Sequence, residues 1–256
     1  MELLLISLVT FFSAILTFFS GFGLATILTP VMLLFFPPEI AIFLTGIIHF
    51  LNNIYKLTIV GKKINISVVI KFGVPAILAS YIGSSTLFFI SESTFFTHNL
   101  FTHTTEISYI DFTISIILIL FALIDLIPLL QKIKFNNSIL PLGGFLSGFF
   151  GGLTGNQGAL RSAFLIKLNL DKTVFIATTV VISFFVDLTR VSVYLFKVNG
   201  LDISNYFIVG SFAVASAILG SLIGNKLLKK VTLEFIRNLV AMMILIIATL
   251  LMIGLL

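Results

Sequence analysis

The sequence predicts an all-α, polytopic membrane protein of two inverted repeats, each a glycine-broken hairpin followed by three transmembrane helices. Three observations lead there. Of the 256 residues, 59% are hydrophobic and only 10% are charged, against roughly 25% charged in soluble domains, so no water-exposed surface can be assembled. Apolar stretches of about 20 residues recur along the chain, the length a helix needs to cross roughly 30 Å of hydrocarbon. Finally, the two halves match each other at an offset of about 134 residues.

Composition also removes whole classes of function. The chain has no cysteine, so disulfides, thiolate metal sites and a cysteine nucleophile are excluded. A net charge of +5 would suggest nucleic acid on a soluble protein. Here the cations mark cytoplasmic loops instead, and no nucleic-acid partner is expected. The sequence has no Ser/His/Asp set, Walker-type phosphate loop or paired-histidine helical motif. An enzyme, a metal site and a cofactor are therefore not expected.

Residues 1–131 form the first predicted repeat. Its hairpin runs over 3–36, is broken at Ser20-Gly21-Phe22-Gly23, and stops at Pro37-Pro38, where a second proline cannot continue helical hydrogen bonding. No basic stretch precedes it and no small-residue cleavage site follows, so a removed signal peptide is not expected. Spans follow at 39–60, 66–90 and 112–130. Between the last two, Ser91–Asp111 carries Glu92, His98, His103, Glu106 and Asp111. It reads as a solvated loop, because the histidine spacing is too irregular for a metal site. Residues 132–256 form the second repeat, with a hairpin at 139–168 and spans at 173–198, 204–228 and 233–256.

Lysine and arginine set the direction of each span. Lys62, Lys63, Lys132, Lys134, Lys167, Lys172, Lys226, Lys229 and Lys230 fall on one side, the cytoplasmic one, against Lys197 alone on the other. The 139–168 segment then begins and ends inside, so it must turn back, at Gly151–Gly158. By the same reasoning 3–36 turns back with both ends outside, and both termini are extracytoplasmic. Each leg has only about 15 residues, short for a span at 1.5 Å per residue. Re-entrant or steeply tilted legs are the better reading, with two thin spans as the alternative.

The repeat match pairs Ser20-Gly21-Phe22-Gly23 with Thr154-Gly155-Asn156-Gln157, Thr45 with Thr179, Asn53 with Asp187, and Lys56 with Arg190; Gly73 and Gly83 match Gly210 and Gly220 after a three-residue insertion. A hairpin plus three spans is an odd number of crossings, so the halves are inverted. Such repeats, with interrupted helices meeting near the midplane, are a transporter architecture.

Candidate functional residues follow from the cost of polarity in a membrane. In the second hairpin Thr154, Gly155, Asn156, Gln157 and Gly158 precede a short leg whose amides and positive helix end face an anion. Arg161, one turn in, adds a guanidinium fork suited to sulfonate, sulfite or carboxylate oxygens. The other reading is close helix packing by the glycines and an Arg161 that pairs or snorkels. In the first hairpin Gly21, Gly23 and Thr26 line the opposite side of the same site, or simply pack. Thr45, His49, Asn52, Asn53 and Lys56 form one polar helical stripe, in which His49 is either a titrating coupling group or a hydrogen-bonded core histidine. Asp187 and Arg190, three apart, are an intrahelical pair or a gate, and Asp125 is a counter-charge for Lys56, Arg161 or Arg190. The aromatic residues read as packing or lipid-facing.

The stretch Gly148-Phe149-Phe150-Gly151-Gly152-Leu153-Thr154-Gly155-Asn156-Gln157-Gly158 resembles the second-half signature of the TauE/SafE sulfite exporter family, and Ser20-Gly21-Phe22-Gly23…Pro30 resembles its first-half counterpart. The resemblance covers nearly the whole chain and implies a multi-span carrier of sulfur-containing anions such as sulfite or organosulfonates. Leu24 and Ala25 stand where the family has a denser glycine run, and Asn156-Gln157 interrupts the second run. The expected function is a secondary transporter of small anions in the cytoplasmic membrane. An anion channel or a non-catalytic subunit of a larger complex is the alternative. The expected partners are a small-molecule anion and membrane lipid, with a homodimer left open.

Overall fold

The computed structural model describes residues 2–18, 22–60, 63–90, 94–100, 103–127, 137–168, 170–197, 204–227 and 233–255. Within these, the side chains of 98–100, 103–105, 125, 137, 159, 204–205, 227, 233–237 and 239–240 lie outside the description. The helices are α1 (Glu2–Thr17), α2 (Ala25–Met32), α3 (Pro38–Ile59), α4 (Ile66–Leu87), α5 (Tyr109–Leu126), α6 (Leu140–Thr154), α7 (Gly158–Leu165), α8 (Lys172–Lys197), α9 (Ser204–Leu227) and α10 (Leu233–Met252). Each follows an apolar run, and the breaks fall where proline, glycine or polar clusters interrupt it. Pro38 opens α3 at its first turn, where the missing N–H is harmless. Asn65 caps α4 by accepting from the Val68 amide at 3.1 Å.

Helices α3, α4, α8 and α9 are long and apolar enough to cross a membrane. The two remaining expected spans appear as the apolar helices α5 and α10, of 18 and 20 residues. The hairpins are unequal. α1 and α6 have 16 and 15 residues, whereas α2 and α7 have eight each. At 1.5 Å per residue an eight-residue leg reaches only about 12 Å, far short of roughly 30 Å of hydrocarbon.

α3 and α8 form the centre, with 67% of each span buried, while α4 and α9 are peripheral at 39% and 28%. Their outward faces carry Leu78, Tyr81, Phe207 and Ile208, all exposed apolar side chains that suit lipid. α3 packs on α8, α5 on α10, α1 on α9 and α6 on α4. The last two pairs are unusually close. A Cβ at Gly144, Gly148 or Gly152 of α6 would run into the backbone of Phe72, Ala76 or Ser80 in turn, and one at Gly220 of α9 into the Phe11 carbonyl. Small residues spaced by four allow such backbone approach where no hydrophobic force distinguishes helix from lipid.

The segment read as a solvated loop is more ordered than expected. Thr94–Leu100 (β1) and His103–Ser108 (β2) pair antiparallel, from Leu100↔His103 to Thr94↔Ser108, with an irregularity between Thr94 and Phe96. Phe95 stacks on Phe112 with centroids 4.4 Å apart, tying the ribbon to α5. Ser108 and Asp111 close a reciprocal capping box at the start of α5. Asp111 is thus a helix cap rather than a free loop charge.

Candidate functional site

The two hairpin breaks meet. A left-handed glycine turns each of them, Gly23 with φ 81° and Gly155 with φ 78°, a conformation that a Cβ disfavours. Gly158 touches the Phe22 carbonyl so closely that a Cβ would overlap it, and the same Cβ would lie 2.8 Å from Thr26 Oγ1. Only glycine permits this crossing. Gly23 in turn lies against His49 and Arg161, and Gly155 against Thr29 and Arg190.

Asp187 is the hub of the polar cluster. Its Oδ2 accepts from His49 Nδ1 at 2.7 Å and Asn53 Nδ2 at 2.8 Å. Its Oδ1 accepts from Gln157 Nε2 at 2.8 Å and Arg190 Nε at 2.9 Å, and Arg190 Nη2 stands in ion-pair contact with it at 2.8 Å. A carboxylate only accepts, so the His49 hydrogen belongs on Nδ1. Arg161 Nη1 donates to Gln157 Oε1 at 3.1 Å, which makes Gln157 a bridge between Arg161 and Asp187. Arg190 Nη1 donates to the Gly151 carbonyl at 3.3 Å. Lys56 is also buried, its Nζ 5.2 Å from the centre of the Phe18 ring, a cation–π contact.

Every member of this cluster is shielded: His49, Asn53, Lys56, Gln157, Arg161, Asp187 and Arg190 are each at most 3% exposed. Among the described side chains, the buried charges are Lys56, Arg161 and Arg190 against Asp187 alone. Several buried polar atoms in the same region have no protein partner among the described residues: His49 Nε2, Thr29 Oγ1, Thr45 Oγ1, and both Oδ1 and Nδ2 of Asn156. A buried polar atom without a partner is costly. Cations in excess, with idle donors and acceptors beside them, are suited to a small anion rather than to a metal.

The family model for Sulfite exporter TauE/SafE matches residues 6–251. The chain belongs to the TauE/SafE sulfite exporter family. It is accordingly a multi-pass membrane protein of transporter type, and the polar cluster lies in the interior of a TauE/SafE transporter. Among curated proteins, none matches the chain in sequence.

The TauE/SafE chain brings most of the expected residues together. Gly23, Gly155, Asn156, Gln157, Gly158, Arg161, His49, Asn53, Asp187 and Arg190 converge at the crossing. Thr26 and Thr154 lie there too, but their hydroxyls bond to backbone, at Phe22 and Phe150; they shape the breaks rather than offer free donors. Gly21 lies outside the described residues, as does the side chain of Asp125. The pairing of Asp187 with Arg190 is present, yet the carboxylate also serves three other residues, so an isolated intrahelical pair is too small a description.

Sequence reading missed Tyr194. Composition places it with the packing and lipid-facing aromatics, but it is fully buried and its hydroxyl bonds to the Gly152 carbonyl. The signal was available, since 187, 190 and 194 share one helical face. It also missed Ser221, which donates to Asn52 Oδ1 at 2.7 Å.

Proposed function

We propose that this protein is a secondary carrier moving a small anion, sulfite or a related sulfur oxyanion, across the cytoplasmic membrane, with the substrate bound where the two hairpin breaks cross. The observation that carries this reading is the charge balance of the described interior: Lys56, Arg161 and Arg190 against Asp187, whose oxygens already hold four partners. Cations in so apolar a setting are expensive and mark ion pathways. Arg161 supplies the charge, with the idle Asn156 amide and Thr29 hydroxyl as neutral ligands. The family's own name supplies the sulfur-anion class.

Two inverted repeats give this carrier its alternating access. What supports them is an exchange of partners: α1 of the first half packs on α9 of the second, and α6 of the second on α4 of the first. The matched residues Asn53 and Asp187 bond to each other, as residues flanking a two-fold axis would. Gly23 lies against Arg161 and Gly155 against Thr29, so each break touches the leg that follows the other. The near-complete burial of the cluster's described side chains favours a carrier over an open pore. Both termini lie outside the cell in this arrangement.

Arg161→Ala tests the site. In proteoliposomes it should reduce sulfite and thiosulfate flux about 30-fold or more, the equivalent of the roughly 2 kcal/mol lost when one side of a buried charge pair is truncated, while the protein stays monodisperse. Unchanged flux would overturn the assignment.

A further inference from the structure

We infer that His49 is a proton-carrying ligand of the anion, so that a proton and the substrate move together; this rests on the anion site proposed above. The geometry fixes the imidazole in one tautomer. Nδ1 lies 2.7 Å from Asp187 Oδ2 and must donate to it, which leaves Nε2 as a bare lone pair. That nitrogen is buried and has no partner among the described residues. It points at the first hairpin break: a Cβ on Gly23 would stand 2.7 Å from it and 3.5 Å from Arg161 Nη2. A lone pair aimed at an anion site is useless as a ligand, because both are electron-rich. Once Nε2 takes a proton it becomes an N–H donor with a positive charge, facing the same point as the Arg161 guanidinium.

The charged groups around the ring make this conversion depend on the anion. Asp187 and Arg190 approach from α8, Arg161 from α7, and Lys56 lies on its own helix; the first break and α2 contribute no charged side chain among the described residues, and Lys226 of α9 is exposed in that helix's last turn. An imidazolium would stand with three cations against one carboxylate. Burial opposes it most and the nearby cations oppose it too, while the Asp187–Nδ1 contact favours it. An anion in the site offsets the cations, and the imidazolium in turn holds the anion through Nε2–H. Each ligand therefore tightens the other, which is thermodynamic linkage between them. No bond other than N–H is made: the proton binds from water on one face and leaves to water on the other. A proton tied to its anion in this way moves in the same direction as the anion.

The test uses thiosulfate and methanesulfonate, which stay fully ionised between about pH 5.5 and 8, so that any proton moved belongs to the protein. Purified protein in liposomes enclosing a pH-sensitive dye should acidify the lumen as either anion enters. An acidic exterior should speed uptake several-fold. In His49→Gln, any remaining anion flux should carry no proton and show no stimulation by external acid. Wild-type uptake at equal pH without acidification overturns the coupling and leaves the anion site standing. Wild-type protein that transports neither anion, even by exchange, overturns both. Retention of acid-driven uptake by His49→Gln assigns the proton elsewhere. If that variant does not fold, the wild-type dye measurement decides alone.

Discussion

Asp187 shows how one residue can be both structural and functional. Five nitrogen contacts from four side chains converge on its two oxygens, and each of those side chains belongs to the proposed site. Removing its charge leaves Arg190 and the rest of the cluster uncompensated in an apolar interior. Breaking a buried pair from one side costs about 3–5 kcal/mol. Asp187→Asn should therefore lower the melting temperature of the purified protein markedly and reduce its yield from membranes. A melting curve equal to wild type would show that the carboxylate is not the keystone described here. Sequence disclosed the residue but not its valence. Asn53 and Asp187 match at an offset of 134, which marks both as notable, but no spacing rule states that two positions matched in this way bond to each other. Gln157 was singled out as an anion donor, whereas its amide is committed at both ends, to Asp187 and Arg161.

At the level of elements, glycine does two separate jobs, and sequence could not separate them. Gly23 and Gly155 take positive φ and turn the chain. Gly144, Gly148 and Gly152 keep helical backbone and serve only to admit α4. A bulky side chain at Gly148 meets the Ala76 backbone, which cannot step aside, so Gly148→Ile should abolish monodisperse protein in detergent. Gly210→Ala, where a Cβ meets nothing within 4 Å, should behave as wild type in the same gel-filtration assay. The main helices were legible because apolar runs of membrane length admit few other structures. The β-ribbon was not. Among the described side chains of its strands Ile107 is buried, whereas Thr94, Phe95, Phe96, Thr97 and Glu106 are exposed, so no alternating apolar face stands out, and the charges of Ser91–Asp111 suggest a loop. Phe95 on Phe112 is a tertiary contact that no local pattern foretells.

For the whole molecule, orientation was read from nine lysines on one side against Lys197. Lys197 sits with its Nζ 5.2 Å from the Phe89 ring centre, so the ends of α4 and α8 lie together. The natural absence of cysteine makes the sidedness directly measurable. Lys226→Cys should react with a membrane-impermeant maleimide only after the cells are opened, and Lys197→Cys in intact cells. The reverse pattern would invert the topology.

The unlike pair Asn53 and Asp187 has a final consequence. A carrier with two identical halves would have two end states of equal energy, because exchanging the halves would convert one into the other. In the proposed inverted-repeat carrier one mate, Asn53, would be neutral and the other, Asp187, charged, so the degeneracy would be lifted. The empty carrier would then have a preferred resting side, and the energy gap between its two ends would set how much substrate binding must supply to turn it over.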